Sequence, residues 1–122
     1  MRMKNEYDEW FDKAEKDLIT AEYNIKGEQL EAGAFFLQQS AEKALKAVYI
    51  KLKGELFRTH DLVTLARQLN APKEIEESCQ QLNPAYNYTR YPDAVKNVNL
   101  GEIIEELKES AVGVLEWARK KI

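Results

Sequence analysis

Between Gly27 and Gly54 the sequence offers one helix-length run, about Glu28 to Lys53, whose apolar residues fall on two sides. Leu37, Ala41, Ala44, Leu45, Val48 and Leu52 recur at helical spacing as a main stripe, while Phe36, Ala47 and Ile50 form a second. A helix on the outside of a bundle needs only one stripe. This one is therefore expected at the centre, its second side covered either by the rest of its own bundle or by another subunit. Both arrangements put Gln39 and Lys43 among apolar neighbours. Gly54 suits the left-handed residue that closes such a helix.

The flanking segments are helical in pattern too. From about Asn5 to Lys26, Trp10, Phe11, Ala14, Leu18, Ala21 and Ile25 fall within an arc of about 100°, and Gly27 is expected to stop the helix. A short helix follows Thr59 or Asp61, either of which can accept a first-turn amide, and turns Leu62, Leu65, Ala66 and Leu69 inward. Asn70 and Ala71 interrupt it. Pro72 suits the first position of a fourth helix reaching about Leu82. From Asn99, which has capping-box spacing to Glu102, Ile103, Ile104, Leu107, Ala111, Val114, Leu115, Ala118 and Ile122 trace one face. Trp117 lies beside that stripe and reads equally as a core edge or a contact to a second subunit. No β-type alternation, repeat or linker intervenes, so the expected fold is an all-α up-and-down bundle of about five helices, three long and two short, in a single domain over 1–122.

Composition narrows the chemistry. With 18 Lys and Arg against 21 Asp and Glu, the formal charge is -3, so any nucleic-acid site must be local. The strongest local bias, Lys43, Lys46, Lys51, Lys53 and Arg58, could steer phosphates or could be a solvated helix face. One cysteine, Cys79, and one histidine, His60, exclude an internal disulfide and a recognisable zinc site, and the chain has no glycine-rich phosphate loop. No metal or cofactor is expected. There is no apolar run near the roughly 18 residues of a membrane span and no apolar leader, which points to the cytoplasm without membrane association.

Two segments could carry chemistry. NPAYNYTRYPDA, Asn83 to Ala94, holds three of the six tyrosines. Pro92 biases Tyr91 toward extended backbone, so Arg90, flanked by Tyr88 and Tyr91, could clamp a phosphate while a ring stacks on a base. The competing reading is a tyrosine plug at the bundle end, with Arg90 paired to Asp93 or to a helix carboxyl terminus. FRTHDLVTL, Phe57 to Leu65, carries His60, the one side chain that ordinarily titrates near neutrality and a candidate general base; alternatively Thr59, His60 and Asp61 simply start the third helix. A Cys79/His60 nucleophilic pair has no supporting context.

The order WFDKAEKDLITAE, FFLQQSAEKALKAVYI, FRTHDLVTL, YNYTRYPDA and a long final helix resembles the HEPN domain family over nearly the whole chain. QQSAEKALKA followed by THDL and RYPD is the specific combination. The resemblance implies a dimeric helical bundle linked to nucleotide binding, to partnership with a minimal nucleotidyltransferase in toxin-antitoxin pairs, or to metal-independent RNA cleavage. Nuclease members carry Arg followed by His with four to six residues between them; after Arg90 the matching positions hold Val95, Lys96 and Asn97. The missing histidine argues against the usual enzyme, because a lysine of ordinary pKa is a poor base at neutral pH.

The expectation is therefore a dimeric nucleotide- or RNA-binding module. Arg90 with Lys43 or Lys46 would engage phosphate, Tyr88 or Tyr91 would stack or hydrogen-bond, and His60 and Asp61 would orient the edge. The rivals are a ribonuclease toxin with Arg90 and His60 as a rearranged catalytic pair, and a structural oligomer without a ligand. Tyr86, Tyr88 and Tyr91 are the natural acceptors should a partner nucleotidyltransferase modify the chain.

Overall fold

The periodic segments form five α-helices: α1 (Glu6–Lys26), α2 (Leu30–Lys53), α3 (Leu62–Gln68), α4 (Lys73–Leu82) and α5 (Leu100–Lys121). The computed structural model describes residues 5–122, so the first four residues of the expected domain lie outside the described residues. The connector from α4 to α5 contains two 3₁₀ turns, Asn83–Asn87 and Pro92–Val95, and the described residues contain no strand. No helix among them is long and apolar enough to cross a membrane.

α2 is central, as its two apolar sides require. It packs against α1, α3, α5 and the Asn83–Asn87 turn, so its own chain covers the second side. Leu37, Ala41, Ala44, Leu45 and Val48 of the main stripe are buried, together with Ala47 and Ile50 of the second. Leu52 departs from the expectation and is 56 % exposed, because it lies in the last turn of α2.

The helix ends hold most of the corrections. Gly27 ends α1 as expected, but the left-handed residue of the reversal is Glu28, at φ 61°. The Gln29 and Glu28 amides donate back to the Asn24 and Ile25 carbonyls over 2.8 and 3.0 Å, the paired bonds of a Schellman motif, so α2 starts at Leu30 instead of Glu28. Gly54 is left-handed at φ 76° with its amide on the Ile50 carbonyl, as expected. Asp61, rather than Thr59, caps α3, its Oδ1 accepting the Val63 and Thr64 amides at 3.0 and 3.3 Å. Pro72 precedes α4 as its capping residue, and the Asn99–Glu102 capping box does not form: Asn99 makes no side-chain cap bond.

The tight turn between α1 and α2 also explains a glycine inside α2. A β-carbon at Gly33 would sit 2.6 Å from Ile25 Cγ1, so only a hydrogen fits where the two helices converge. Trp117 is half-buried against the core with the Lys121 ammonium 5.6 Å from its ring centre.

Candidate functional site

QQSAEKALK places Gln38, Glu42 and Lys46 four residues apart on α2, hence on one helix face. All three are buried. Lys46 Nζ donates to Glu42 Oε2 at 3.0 Å, and Gln38 Nε2 donates to Glu42 Oε1 at 3.3 Å and to the His60 carbonyl at 3.2 Å. His60 Nδ1 lies 3.1 and 3.2 Å from the two Glu42 oxygens. A buried carboxylate thus fixes the imidazole through Nδ1, while the side chain stays 56 % exposed. Such a partner orients a histidine ring and directs its other nitrogen outward.

The third helix and the tyrosine connector meet at this point. Asn83 Nδ2 donates to Asp61 Oδ1 at 2.8 Å and Asn83 Oδ1 accepts the Leu62 amide at 2.8 Å, tying the start of the connector to the start of α3. This brings Tyr86 onto His60, rings stacked at 4.3 Å and 22°. Arg90 closes the group: its guanidinium carbon is 4.2 Å from the Tyr86 ring centre and Nη1 donates to the Tyr86 carbonyl at 2.8 Å. Phe35 supports it from α2, 5.4 Å from the guanidinium carbon and 6.3 Å from the Tyr86 ring.

The candidate residues divide accordingly. His60 and Arg90 come together, both packed on Tyr86. Asp61 is beside them as a helix cap. Its carboxyl is held below the usual range, first by the Asn83 hydrogen bond, against a smaller opposing effect of burial, then by Thr64 and the Val63 amide. Lys46 is buried and engaged by Glu42, with its ammonium 5.7 Å from the Trp10 ring centre. Lys43 is turned the other way, 2.6 Å from Asp17 Oδ2 and 3.1 Å from Gln39 Oε1. Tyr88 is buried at 5 % exposure, with burial raising its phenol pKa, and Tyr91 is 55 % exposed.

Tyr86, read from sequence only as a modification acceptor, is the tyrosine that packs on His60 and Arg90, whereas of the two expected to stack or hydrogen-bond, Tyr88 is buried and Tyr91 exposed. In a 3₁₀ turn residues three apart eclipse, so Ala85 and Tyr88 both turn inward and Tyr86 is left on another side. Glu42 was not legible as a site residue, although its spacing from Gln38 and Lys46 is the signal that finds it. Asp17 is the other: 1 % exposed, it accepts from Lys43 and from Lys13 at 3.0 Å. Gln39 Nε2 donates to Gln38 Oε1 at 2.8 Å, joining both groups into one polar chain from Lys13 to His60. No buried side-chain nitrogen or oxygen among the described residues lacks a partner.

Chemically, the exposed group presents a guanidinium and an oriented imidazole, both packed on the half-buried ring of Tyr86. A guanidinium has five donors, one of which the Tyr86 carbonyl uses, leaving others for an anion. Among the described residues no group of three or more His, Cys, Asp or Glu is disposed to hold a metal ion. A groove of about 730 Å³ between Glu28–Ala32 and Val95–Gly101 has none of the stack residues and no aromatic ring in its lining.

The family model described as "HEPN domain" matches residues 7–121. The crystal structure of TT1696 from Thermus thermophilus superposes with a TM-score of 0.85 at 25 % identity, covering 98 % of this chain and 100 % of that one. That of ST0689, described as an archaeal HEPN homologue, superposes with a TM-score of 0.77 at 28 % identity, covering 98 % of each. No curated protein matches the sequence.

Proposed function

The chain belongs to the HEPN domain family, and on that premise we propose that it is a nucleotide- or RNA-binding and interaction module. The observation that carries this reading is the packing of His60 and Arg90 on one tyrosine, Tyr86. Arg90 engages a phosphate, while Tyr86, its ring packed against both His60 and Arg90, holds those two groups in place. Tyr91, exposed next to Arg90, is the ring that stacks on the attached nucleoside. Lys43 and Lys46 are left out of phosphate binding because Asp17 and Glu42 already hold them. The module works as a homodimer, with a minimal nucleotidyltransferase of a toxin-antitoxin pair as its protein partner.

Calorimetric titration with a short oligoribonucleotide tests the binding half. Arg90→Ala is expected to weaken binding at least tenfold, about 1.4 kcal/mol, with the melting temperature nearly unchanged. Equal binding by the variant, or no binding by the wild type, overturns the reading. Light scattering across a concentration series tests the dimer, for which about 1,000 Å² of buried surface is the minimum.

A second reading, metal-independent RNA cleavage, draws on the Glu42–His60 pair, which resembles the carboxylate-oriented imidazoles of general-base catalysis. His60 Nε2 would take the proton of a ribose 2′-hydroxyl, whose oxygen attacks the adjacent phosphorus. The 5′ oxygen would leave with a solvent proton, and Arg90 would offset the charge gained at phosphorus. Incubating a labelled structured RNA with chelator, wild type against His60→Ala and Arg90→Ala, tests it. A 2′,3′-cyclic phosphate end lost in both variants supports this reading; no cleavage by the wild type removes it.

A further inference from the structure

The sequence contains one histidine, and the structure puts it in the exposed stack. Between about pH 5.5 and about pH 8, histidine is the one side-chain type that ordinarily changes charge. Burial, the leading cause, pushes the Cys79 thiol up to about 12, which takes the cysteine out of that interval. His60 is therefore the side chain through which a neutral-range pH change can act on the stack.

Its environment makes the charge change directional. Nδ1 faces the Glu42 carboxylate, so an added proton and the existing one occupy Nδ1 and Nε2, and no hydrogen bond to Nε2 is made among the described residues. The charged groups around the ring are Glu42 and Lys46 from α2, Arg90 across Tyr86 from the connector, and Asp61 at the start of α3. Asp61 remains anionic throughout, its carboxyl held low by Asn83. Glu42 is saturated by Lys46, Gln38 and His60, which leaves Nε2 and the guanidinium as the donors available to a ligand.

We infer that protonation of His60 gates the affinity of this site for phosphodiesters. The imidazolium, held on Glu42 through Nδ1, presents Nε2–H to a phosphate oxygen beside Arg90; in the neutral ring that nitrogen carries a lone pair turned toward the anion. Binding is thus tighter in mildly acidic than in mildly alkaline solution. The inference rests on the recognition reading, whose substrate class it narrows to an anion without a titrating oxygen of its own.

The test uses the full chain and a short 2′-O-methyl oligouridylate, which cannot be cleaved through its 2′ position and whose phosphodiesters keep their charge across the range. Wild-type affinity is expected to fall about tenfold from about pH 5.5 to about pH 8, and His60→Gln to change about twofold or less. A wild-type slope that is flat, or one that survives in His60→Gln, overturns the gate. A second measurement needs no variant: the single imidazole is followed by proton NMR with and without saturating oligonucleotide. By linkage, tenfold coupling must move its titration midpoint upward by about one pH unit, and an unmoved midpoint also overturns the gate. Failure of the underlying reading looks different: no binding at either pH, or binding indifferent to Arg90→Ala.

Discussion

Asn83 and Asp61 are joined by a 2.8 Å hydrogen bond from the side-chain amide nitrogen of one to Oδ1 of the other, and the Asn83 side-chain oxygen Oδ1 accepts the neighbouring Leu62 amide. A single asparagine therefore holds two loops at the separation that lets His60 stack on Tyr86.

Replacing it should loosen both the fold and the stack. Asn83→Ala is expected to lower stability by about 1–2 kcal/mol, the range for removing hydrogen bonds to a charged group and a half-buried amide. Urea denaturation should show a lower midpoint with an unchanged slope, and oligonucleotide affinity should drop at temperatures where the variant is fully folded.

Asp61 makes the acid side of stability predictable. Its pKa is lower in the folded chain than its ordinary value, so folding favours the carboxylate. That contribution is complete above the unfolded value of about 4 and is lost as pH falls through the lowered folded one. Asp61→Asn, which can still cap the helix, should be less stable than wild type near neutrality. The difference between the two melting temperatures should shrink as pH falls below about 4; a difference that does not change with pH would exclude the carboxylate as its cause.

Gly33 is a packing constraint. Gly33→Ala adds a methyl group where Ile25 Cγ1 stands 2.6 Å away, and Ile25 is β-branched and stiff at χ1. The helix-propensity gain of alanine, about 1 kcal/mol, is outweighed by overpacking, for a net loss of about 1–2 kcal/mol. Trimming the neighbour in Gly33→Ala/Ile25→Ala should make the two losses less than additive in a double-mutant cycle.

Cys79 is a built-in reporter of opening. It is fully buried, and its thiol is pushed up to about 12 by burial first and by Glu76 and Asp61 after that. Thiol reagents act on the thiolate, so labelling at neutral pH should be negligible in the native state and should rise with urea along the unfolding curve. Rapid labelling without denaturant would mean that α4 detaches from the bundle in native conditions.

The long helices were legible because α2 and α5 repeat apolar residues at a spacing that only a helix satisfies. The reversal after α1 was not, since a left-handed Glu28 beside an available Gly27 is decided by how the chain must re-enter the core at Gly33. Asp17 and Glu42 escaped for a related reason: an acid amid lysines on a helix reads as solvated, and only tertiary packing buries it. His60 and Arg90 were identifiable from residue type. That Tyr86 stands between α3's entrance and Arg90, while Tyr88 is inside, depends on a 3₁₀ turn that no periodicity announces.

The polar chain from Lys13 through Asp17, Lys43, Gln39, Gln38 and Glu42 to His60 has a consequence for how the helices find their alignment. Much of the core is alanine, including Ala14, Ala21, Ala34, Ala41 and Ala44, and surfaces that smooth tolerate sliding. A one-turn slip of α1 along α2 would keep much of the apolar contact but would part Asp17 from Lys43, leaving a buried carboxylate with only Lys13 of its own helix as partner. Ion pairs of this kind add little to the depth of the native state; here they remove its nearest competitor, and the aromatic stack inherits a scaffold with one register.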